Sequence, residues 1–222
     1  MIPKIIHHCW FSGDPLPSLY KRCVESWHVH LEGYEFKLWT LENTNINTPF
    51  LSECLKNRQW AFLSDYVRMR ALRDHGGIYL DMDMELVKSL DPLLNNACFT
   101  GNEAPNRPNP SIIGSVREHP FLASAMELID QRYLRKKPYL IAPEVAMTVL
   151  EDKNIAQSVT IYPSCYFYPY NPYDKTRSAD QLMYSDIKED TYAIHHWGKS
   201  WNQSLFERVI KKMGKIIQRK DG

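Results

Sequence analysis

Hydrophobic positions along the chain switch repeatedly between a strand period and a helix period. Ile5 to Phe11 is a short apolar run of strand length, and within Pro17 to Leu31 the residues Leu19, Tyr20, Cys23, Val24 and Trp27 fall on one helical stripe. Tyr34 to Trp39 alternates with period two and predicts a second strand, followed by a polar stretch from Asn43 to Pro49 that reads as a loop. Phe62, Leu63, Tyr66, Met69 and Leu72 predict a helix from Trp60 to His75, stopped by Gly76-Gly77, the residue type that accepts a left-handed cap. Ile78-Tyr79-Leu80 is too short for a helix and runs into Asp81-Met82-Asp83-Met84-Glu85-Leu86-Val87, so the acidic pair sits at a strand end.

Farther on, Glu103 to Pro110 carries three prolines and two asparagines and predicts a loop, after which Ser111 to Val116 resumes as a strand. Glu118 to Tyr133 predicts another helix, Pro163 to Tyr173 is crowded with tyrosine and proline, Tyr192 to Trp197 a late strand, and Leu205 to Arg219 a closing helix. The order of elements predicts an α/β fold. No repeat, low-complexity tract or linker divides it, so a single domain over residues 1–222 is expected, with 204–220 as a basic amphipathic helix. Its cations Arg208, Lys211, Lys212, Lys215, Arg219 and Lys220 oppose an apolar stripe, a pattern suited either to anionic lipid or to docking on the domain itself.

Composition narrows the partners. With 44% apolar and 12% aromatic residues the chain can bury one sizeable core. A net charge of +1, from 27 basic and 26 acidic residues, lacks the electrostatic footprint of a nucleic-acid binder. Five widely spaced cysteines without a C-x-x-C pair suggest neither a disulfide framework nor a zinc knuckle and fit a reducing cytoplasm. Neither a signal-peptide pattern nor an apolar run of membrane-spanning length is present, so the expectation is a cytoplasmic protein, able at most to touch the inner face of a membrane peripherally.

The chemistry concentrates in Asp81 and Asp83. Two carboxylates one residue apart at a strand end resist joint ionisation unless a cation lies between them, and a divalent ion held there can stabilise a departing phosphate. The spacing alone also allows a solvated turn cap, or a phosphohydrolase with Asp81 as nucleophile and Asp83 as acid. Asp65 and Arg68, three apart on one helical face, can act together or form a surface ion pair.

Trp60-Ala61-Phe62-Leu63-Ser64-Asp65-Tyr66-Val67-Arg68 and Gly76-Gly77-Ile78-Tyr79-Leu80-Asp81-Met82-Asp83 together resemble the sugar-binding region of DXD-containing glycosyltransferases of family 32. The resemblance extends to Ile2-Pro3-Lys4-Ile5-Ile6-His7-His8-Cys9-Trp10-Phe11 and to Ala193 through Trp201. It implies a GT-A fold, a Rossmann-like mixed sheet flanked by helices, and a retaining hexosyltransferase dependent on manganese or magnesium. The implied donor is a nucleotide sugar, UDP-galactose, UDP-glucose or UDP-N-acetylglucosamine ahead of GDP-mannose, and the implied acceptor a glycan or lipid-linked glycan in surface polysaccharide or lipopolysaccharide synthesis.

By the same resemblance Trp10 stacks on the nucleotide base, Asp65 and Arg68 hold the donor sugar and diphosphate, and Tyr79 belongs to the donor site. Asp81 contacts ribose, sugar or metal, Asp83 is the direct metal ligand, His195 completes the coordination with His196 as the alternative, and Ser200 and Trp201 engage the diphosphate. An imidazole ligand favours manganese over magnesium. The Tyr166 to Tyr170 cluster can face an acceptor sugar or simply pack inward. The chain departs from the family's short turn at Ile141-Ala142-Pro143-Glu144. A carbohydrate-binding protein without turnover is the non-enzymatic alternative.

Overall fold

A computed structural model describes residues 1–177, 179 and 181–198. Its strands are β1 (Ile5–Cys9), β2 (Glu35–Trp39), β3 (Gly77–Leu80), β4 (Met84–Leu86), β5 (Cys98–Ala104), β6 (Arg107–Ser115), β7 (Val159–Tyr162) and β8 (Ala193–His195). The helices are α1 (Ser18–His30), α2 (Pro49–Lys56), α3 (Trp60–His75), α4 (Pro120–Leu134), α5 (Ala142–Val149), α6 (Lys153–Gln157) and α7 (Ser164–Phe167). Among the described residues the main sheet has six strands in the order β2-β1-β3-β6-β5-β7, and β4 pairs with β8 in a separate ribbon. β1 lies parallel to β2 and β3, β5 parallel to β7, and β6 alone runs against its neighbours.

Alternation along the central strands feeds two cores. Tyr79 and Ile113 point into one, against Leu63, Tyr66 and Val67 of α3, Phe121 and Leu122 of α4, and Val145 of α5. Ile78, Leu80 and Ile112 point into the other, with Tyr20 and Trp27 of α1, Met84 and Leu86 of β4, and Phe167 of α7. Each such fully buried large side chain contributes about 1.5–3 kcal/mol. Trp27 also donates its indole N–H to the Met84 carbonyl at 2.6 Å, which fastens α1 to the ribbon beneath the acidic turn.

The two glycines after α3 are there for different reasons. Gly76, at φ 66°, ends the helix. Gly77, at φ 110°, opens β3 so close to β1 that a Cβ would lie 2.6 Å from the Ile5 carbonyl oxygen. The glycine therefore allows the strand carrying the acidic pair to sit at the centre of the sheet.

Several sequence expectations change. The stretch from Glu103 to Pro110 is a hairpin rather than a loop, and the strand expected from Ser111 begins at Arg107. β3 pairs only with Ile112 to Ser115, so Pro108 and Pro110 face no neighbour on that side that would need their missing N–H. Bulges at Thr100/Gly101 and Asn102/Ala104 absorb the misfit on the β5 side, and the Thr100 hydroxyl donates to the Asn109 and Ile112 carbonyls. The acidic pair does sit at a strand end as expected, directly after β3, in a turn that leads into β4 of a different sheet.

The expected late strand is confined to Ala193–His195 and pairs with β4, and the helix expected from Glu118 starts at Pro120, because Glu118 is left-handed (φ 57°) and the His119 ring accepts the Phe121 N–H. The sequence reading also lacks α2, which Thr48 caps by accepting the Leu51 N–H at 3.2 Å, as well as β5, β7 and α5. The helix expected over 204–220 lies outside the described residues. Among the described residues, no helix is long and apolar enough to cross a membrane.

Candidate active site

Asp81 closes β3 by donating its N–H to the Ser111 carbonyl of β6 at 2.8 Å, and its own carbonyl accepts from Met84 at 3.0 Å. That turn reverses the chain into β4 and brings both carboxylates to one side. β8, paired with β4, then delivers His195: one ligand atom each from Asp81, Asp83 and His195 lie within 4.8 Å of one another. Two carboxylate oxygens and an imidazole nitrogen suit a manganese or magnesium ion, which would relieve the repulsion between the aspartates.

Asp83 is gripped from several directions. Its Oδ1 lies 3.3 Å from His195 Nε2, its Oδ2 accepts the Gly198 N–H at 2.7 Å, and its carbonyl accepts the His196 N–H at 3.0 Å. Burial works against the Asp83 charge, but His195 and the Gly198 amide outweigh it and hold the carboxyl below the usual range. Burial likewise works against an imidazolium at His195, and Asp83 reverses that and raises it. Strand alternation decides between the two histidines: His195 faces Asp83, whereas His196 turns away to Glu85 at 2.6 Å. His195 Nδ1 is buried without a hydrogen-bond partner among the described residues.

Arg68, 4% exposed, is the second focus. Its Nη2 pairs with Asp65 at 2.8 Å and with Asp81 at 3.1 Å, its Nη1 donates to the Pro110 carbonyl at 2.8 Å, and its guanidinium lies 4.5 Å over the Tyr79 ring. This is not a surface pair. Breaking such a buried arrangement by removing one partner costs about 3–5 kcal/mol. Burial opposes the Arg68 charge, and Asp81 and Asp65 overcome it, so the guanidinium stays protonated above its ordinary range. Burial pushes the Asp65 carboxyl up to about 6, with Arg68 drawing it down and Asp81 adding to the rise.

The other sequence candidates fall at defined distances from this centre. Trp10 follows β1 on the exposed side, its ring edge-on to Tyr20 at 5.6 Å and its N–H on the Asp14 carbonyl at 2.7 Å. Tyr20 links it to the acidic turn, since a Cβ on Gly198 would meet the Tyr20 hydroxyl at 2.7 Å and Asp83 Oδ2 at 3.1 Å. Tyr79, 2% exposed, points inward, where its hydroxyl donates to Asp81 at 3.0 Å and its face supports Arg68. Glu144 accepts the Ile141 N–H at 3.1 Å at the start of α5. Ser200 and Trp201 lie outside the described residues.

Trp197, Gly198 and Glu103 were not singled out as site residues from the sequence, and Tyr168 stood out only as part of the Tyr166 to Tyr170 cluster. Tyr168, 2% exposed, stands edge-on to the His195 ring at 5.6 Å and donates to the Asn109 carbonyl at 2.5 Å. Trp197 packs on His195 at 4.4 Å with its N–H on the Tyr170 carbonyl, and Gly198 supplies its amide to Asp83. Buried Glu103 accepts from Arg107 at 2.5 Å and from Asn109 at 2.6 Å, which braces the hairpin whose Pro110 carbonyl holds Arg68. The glycine directly after His195-His196-Trp197 was the readable signal for the amide contact. The Tyr166 cluster is divided: Tyr168 walls the centre, while Tyr166 stacks between Tyr162 at 4.6 Å and Tyr192 at 5.5 Å.

Residues 17–100 match the glycosyltransferase sugar-binding region containing DXD motif. Inositol phosphoceramide mannosyltransferase 3 of Schizosaccharomyces pombe is 33% identical over 130 residues, 54% of this chain and 35% of the relative. Inositol phosphoceramide mannosyltransferase 1 of the same yeast is 27% identical over 221 residues, 90% of this chain and 62% of the relative. The chain thus spans less than two thirds of the length of either. Among solved structures the PaToxG glycosyltransferase superposes with a TM-score of 0.56 at 15% identity, covering 70% of this chain and 73% of that one, a likeness of fold.

Proposed function

The chain belongs to the DXD-containing glycosyltransferases of family 32, and from that premise we propose that it moves a hexose from a nucleotide-sugar donor to a glycan or lipid-linked glycan, with retention of anomeric configuration. The observation that carries this reading is the convergence of Asp81, Asp83 and His195 within 4.8 Å, beside a buried Arg68 shared by Asp65 and Asp81. Asp83, His195 and Asp81 would hold the divalent ion, manganese by preference because one donor is an imidazole. When bound, that ion supplies Lewis-acid stabilisation of the charge that develops on the departing diphosphate.

The protein's own groups do the rest. Arg68 is a cation whose position is set before the donor arrives, so it needs no rearrangement when negative charge builds beside it. Asp65, ionised at neutral pH with a carboxyl near 6, accepts a hydrogen bond from a donor-sugar hydroxyl and orients the ring. Trp10 offers its face to the base, and Tyr79 keeps Arg68 and Asp81 in register. Both close carboxylates are already engaged, Asp81 by Arg68 and Asp83 by His195 and Gly198; attack of the acceptor from the face the leaving group departs is therefore favoured over a covalent intermediate. Ser200 and Trp201 would complete the diphosphate site.

The donor is a UDP-hexose in this reading, and the mannosyltransferase names of the relatives make GDP-mannose the first comparison. Nucleotide release from a UDP- and GDP-sugar panel, with manganese or with chelator, tests it on the native chain and on Asp83→Ala. One donor with metal-dependent turnover that Asp83→Ala abolishes is the expected result. Phosphate release from simple phosphomonoesters instead would sink it, and an inverted anomeric signal by NMR would sink the retention.

A further inference from the structure

α2 and α4 both end in cations, on the side of the sheet that carries the acidic turn. α4 runs antiparallel to α3: the Glu118 N–H meets the Arg73 carbonyl at 3.0 Å at one end, the Tyr66 hydroxyl donates to Asp130 at 2.8 Å, and Tyr139 lies edge-on to Phe62 at 5.2 Å at the other. Arg68 ties Asp65 of α3 to Asp81, so the last turn of α4 emerges at the acidic-turn end, where Arg132 and Asp65 line one narrow crevice. Leu134, 71% exposed, is the final residue of α4, and exposed Arg135, Lys136 and Lys137 follow it. The turn from α2 into α3 adds exposed Lys56 and Arg58.

Both helix ends are built alike. Arg58 and Lys136 are left-handed, at φ 51° and 53°, and the amides after them, on Gln59 and Lys137, donate to the Cys54 and Arg132 carbonyls at 2.8 and 3.0 Å. Such a turn favours glycine, yet each carries a long cation. Arg132 holds the returning chain through the Pro138 carbonyl, at 3.2 Å from Nε and 2.8 Å from Nη2, and Glu53 joins the two ends by accepting the Tyr133 and Tyr139 hydroxyls at 3.0 Å each. Among the described residues none of these cations pairs with a carboxylate, which in a chain of net charge +1 makes this end a local positive field. A helix dipole accounts for cations at a C-terminus. It does not account for a leucine left exposed among them.

Resting on the lipid-linked acceptor of the reading above, we infer that this end of the protein docks on a bilayer rich in anionic lipid. Leu134 enters the headgroup layer, while Arg58, Arg135, Lys136 and Lys137 meet the lipid phosphates around it. An apolar tip ringed by cations suits that boundary; a soluble polyanion offers the charge without the apolar layer. The surface draws on none of residues 204–220. Docked this way, the acidic turn faces the side from which an acceptor carried on lipid arrives.

The full chain is sedimented at low salt with vesicles of phosphatidylcholine alone, or of equal parts phosphatidylcholine and phosphatidylglycerol, as the native protein, Leu134→Ser, Arg135→Gln/Lys137→Gln and Lys211→Gln/Lys215→Gln. The native protein should bind the anionic vesicles at least about tenfold better than the neutral ones. Arg135→Gln/Lys137→Gln should weaken that binding about tenfold or more, the worth of two cations near an anionic surface, and Leu134→Ser about threefold with the salt dependence kept. Metal-dependent nucleotide release without vesicles should be unchanged in both tip variants; if the native protein turns over no donor, the donor-site reading fails while vesicle binding is still scored. Equal binding to the two kinds of vesicle overturns the inference. So do tip variants that bind like the native protein while Lys211→Gln/Lys215→Gln alone loses binding, which assigns the contact to residues 204–220. Native-like binding by Leu134→Ser, with loss in Arg135→Gln/Lys137→Gln and displacement by soluble heparin, marks a polyanion site and overturns it as well.

Discussion

His7 and His8 should make the protein acid-sensitive above the range in which ordinary carboxylates titrate. Both side chains are buried, on opposite faces of β1, and burial lowers each from 6.5 to about 4. The hydrogen bonds of His7 require the neutral ring: Nε2 donates to the Gly76 carbonyl at 2.8 Å and Nδ1 accepts the Trp39 indole N–H at 3.2 Å. A proton on Nδ1 would set two N–H groups against each other. The His8 ring lies edge-on to Trp27 at 5.2 Å, and its Nδ1 is buried with no partner among the described residues. His75 and Lys37 beside His7, and His28 beside His8, add positive charge that opposes protonation further.

Because the folded pKa lies below the unfolded one, the unfolded chain binds more protons between these limits. Stability is therefore complete above about pH 6.5 and falls as the pH drops toward 4. Integrating the proton uptake from pH 7 to pH 5 gives about 2 kcal/mol for each ring and about 4 kcal/mol for the pair. Proton uptake by Asp65, whose carboxyl burial raises to about 6, returns about 1 kcal/mol over the same interval, so a net loss of about 2–3 kcal/mol remains against a total stability of about 5–15 kcal/mol. Urea unfolding followed by tryptophan fluorescence at half-unit steps from pH 7.5 to 5 measures it. His8→Phe, which keeps the ring against Trp27 and removes the titration, should recover about 2 kcal/mol of the loss between pH 7 and pH 5, and His7→Gln a similar amount. A native protein of constant stability over this range, or variants that keep the full slope, would refute the account.

Three further outcomes test the site and the sheet beneath it. Arg68→Ala should cost about 3–5 kcal/mol in urea unfolding and abolish donor turnover, because it leaves Asp65 and Asp81 close together without their shared cation; a loss under about 1 kcal/mol would contradict the buried network. Gly77→Ala should destabilise by more than about 2 kcal/mol, since the new Cβ meets the Ile5 carbonyl and the residue sits at φ 110°, and a melting temperature equal to the native protein's would disprove the close approach. Trp10→Ala should raise KM for the nucleotide sugar about tenfold, the worth of one base stack, with kcat little changed and Trp10→Phe partly restoring it; an unaltered KM would remove Trp10 from the donor site.

The parts of the fold legible in the sequence are those whose determinants are local. α3 carries a regular apolar stripe and two glycines at its end, β1 and β3 carry short apolar runs and β2 alternates with period two, so their nature and order could be read directly. The β5–β6 hairpin could not. Its strands contain Gly101, Asn102, Pro108 and Pro110, residues that argue against a strand unless a bulge and an unpaired flank accommodate them, and both conditions arise only once β3 is in place. Asp65, Arg68, Asp81 and Asp83 stood out by motif, but their burial and shared bonds are tertiary facts. The resemblance put His195 ahead of His196, but that His195 is the ring facing Asp83 rests on how β8 pairs with β4, which sequence spacing does not contain.

The grip of residues 193–198 on the acidic turn dictates the order in which the protein becomes competent during synthesis. The six-stranded sheet needs no strand beyond Tyr162, so a nascent chain can complete its main scaffold, with Arg68 already on Asp81, while Asp83 still lacks the amide and imidazole that hold it. The Gly198 amide reaches Asp83 across 115 positions of sequence. Contacts of such separation form late, because the intervening chain must be ordered first. Synthesis that ends after β7 but before β8 would therefore yield a finished sheet in which Asp81 and Asp83 have no His195 beside them.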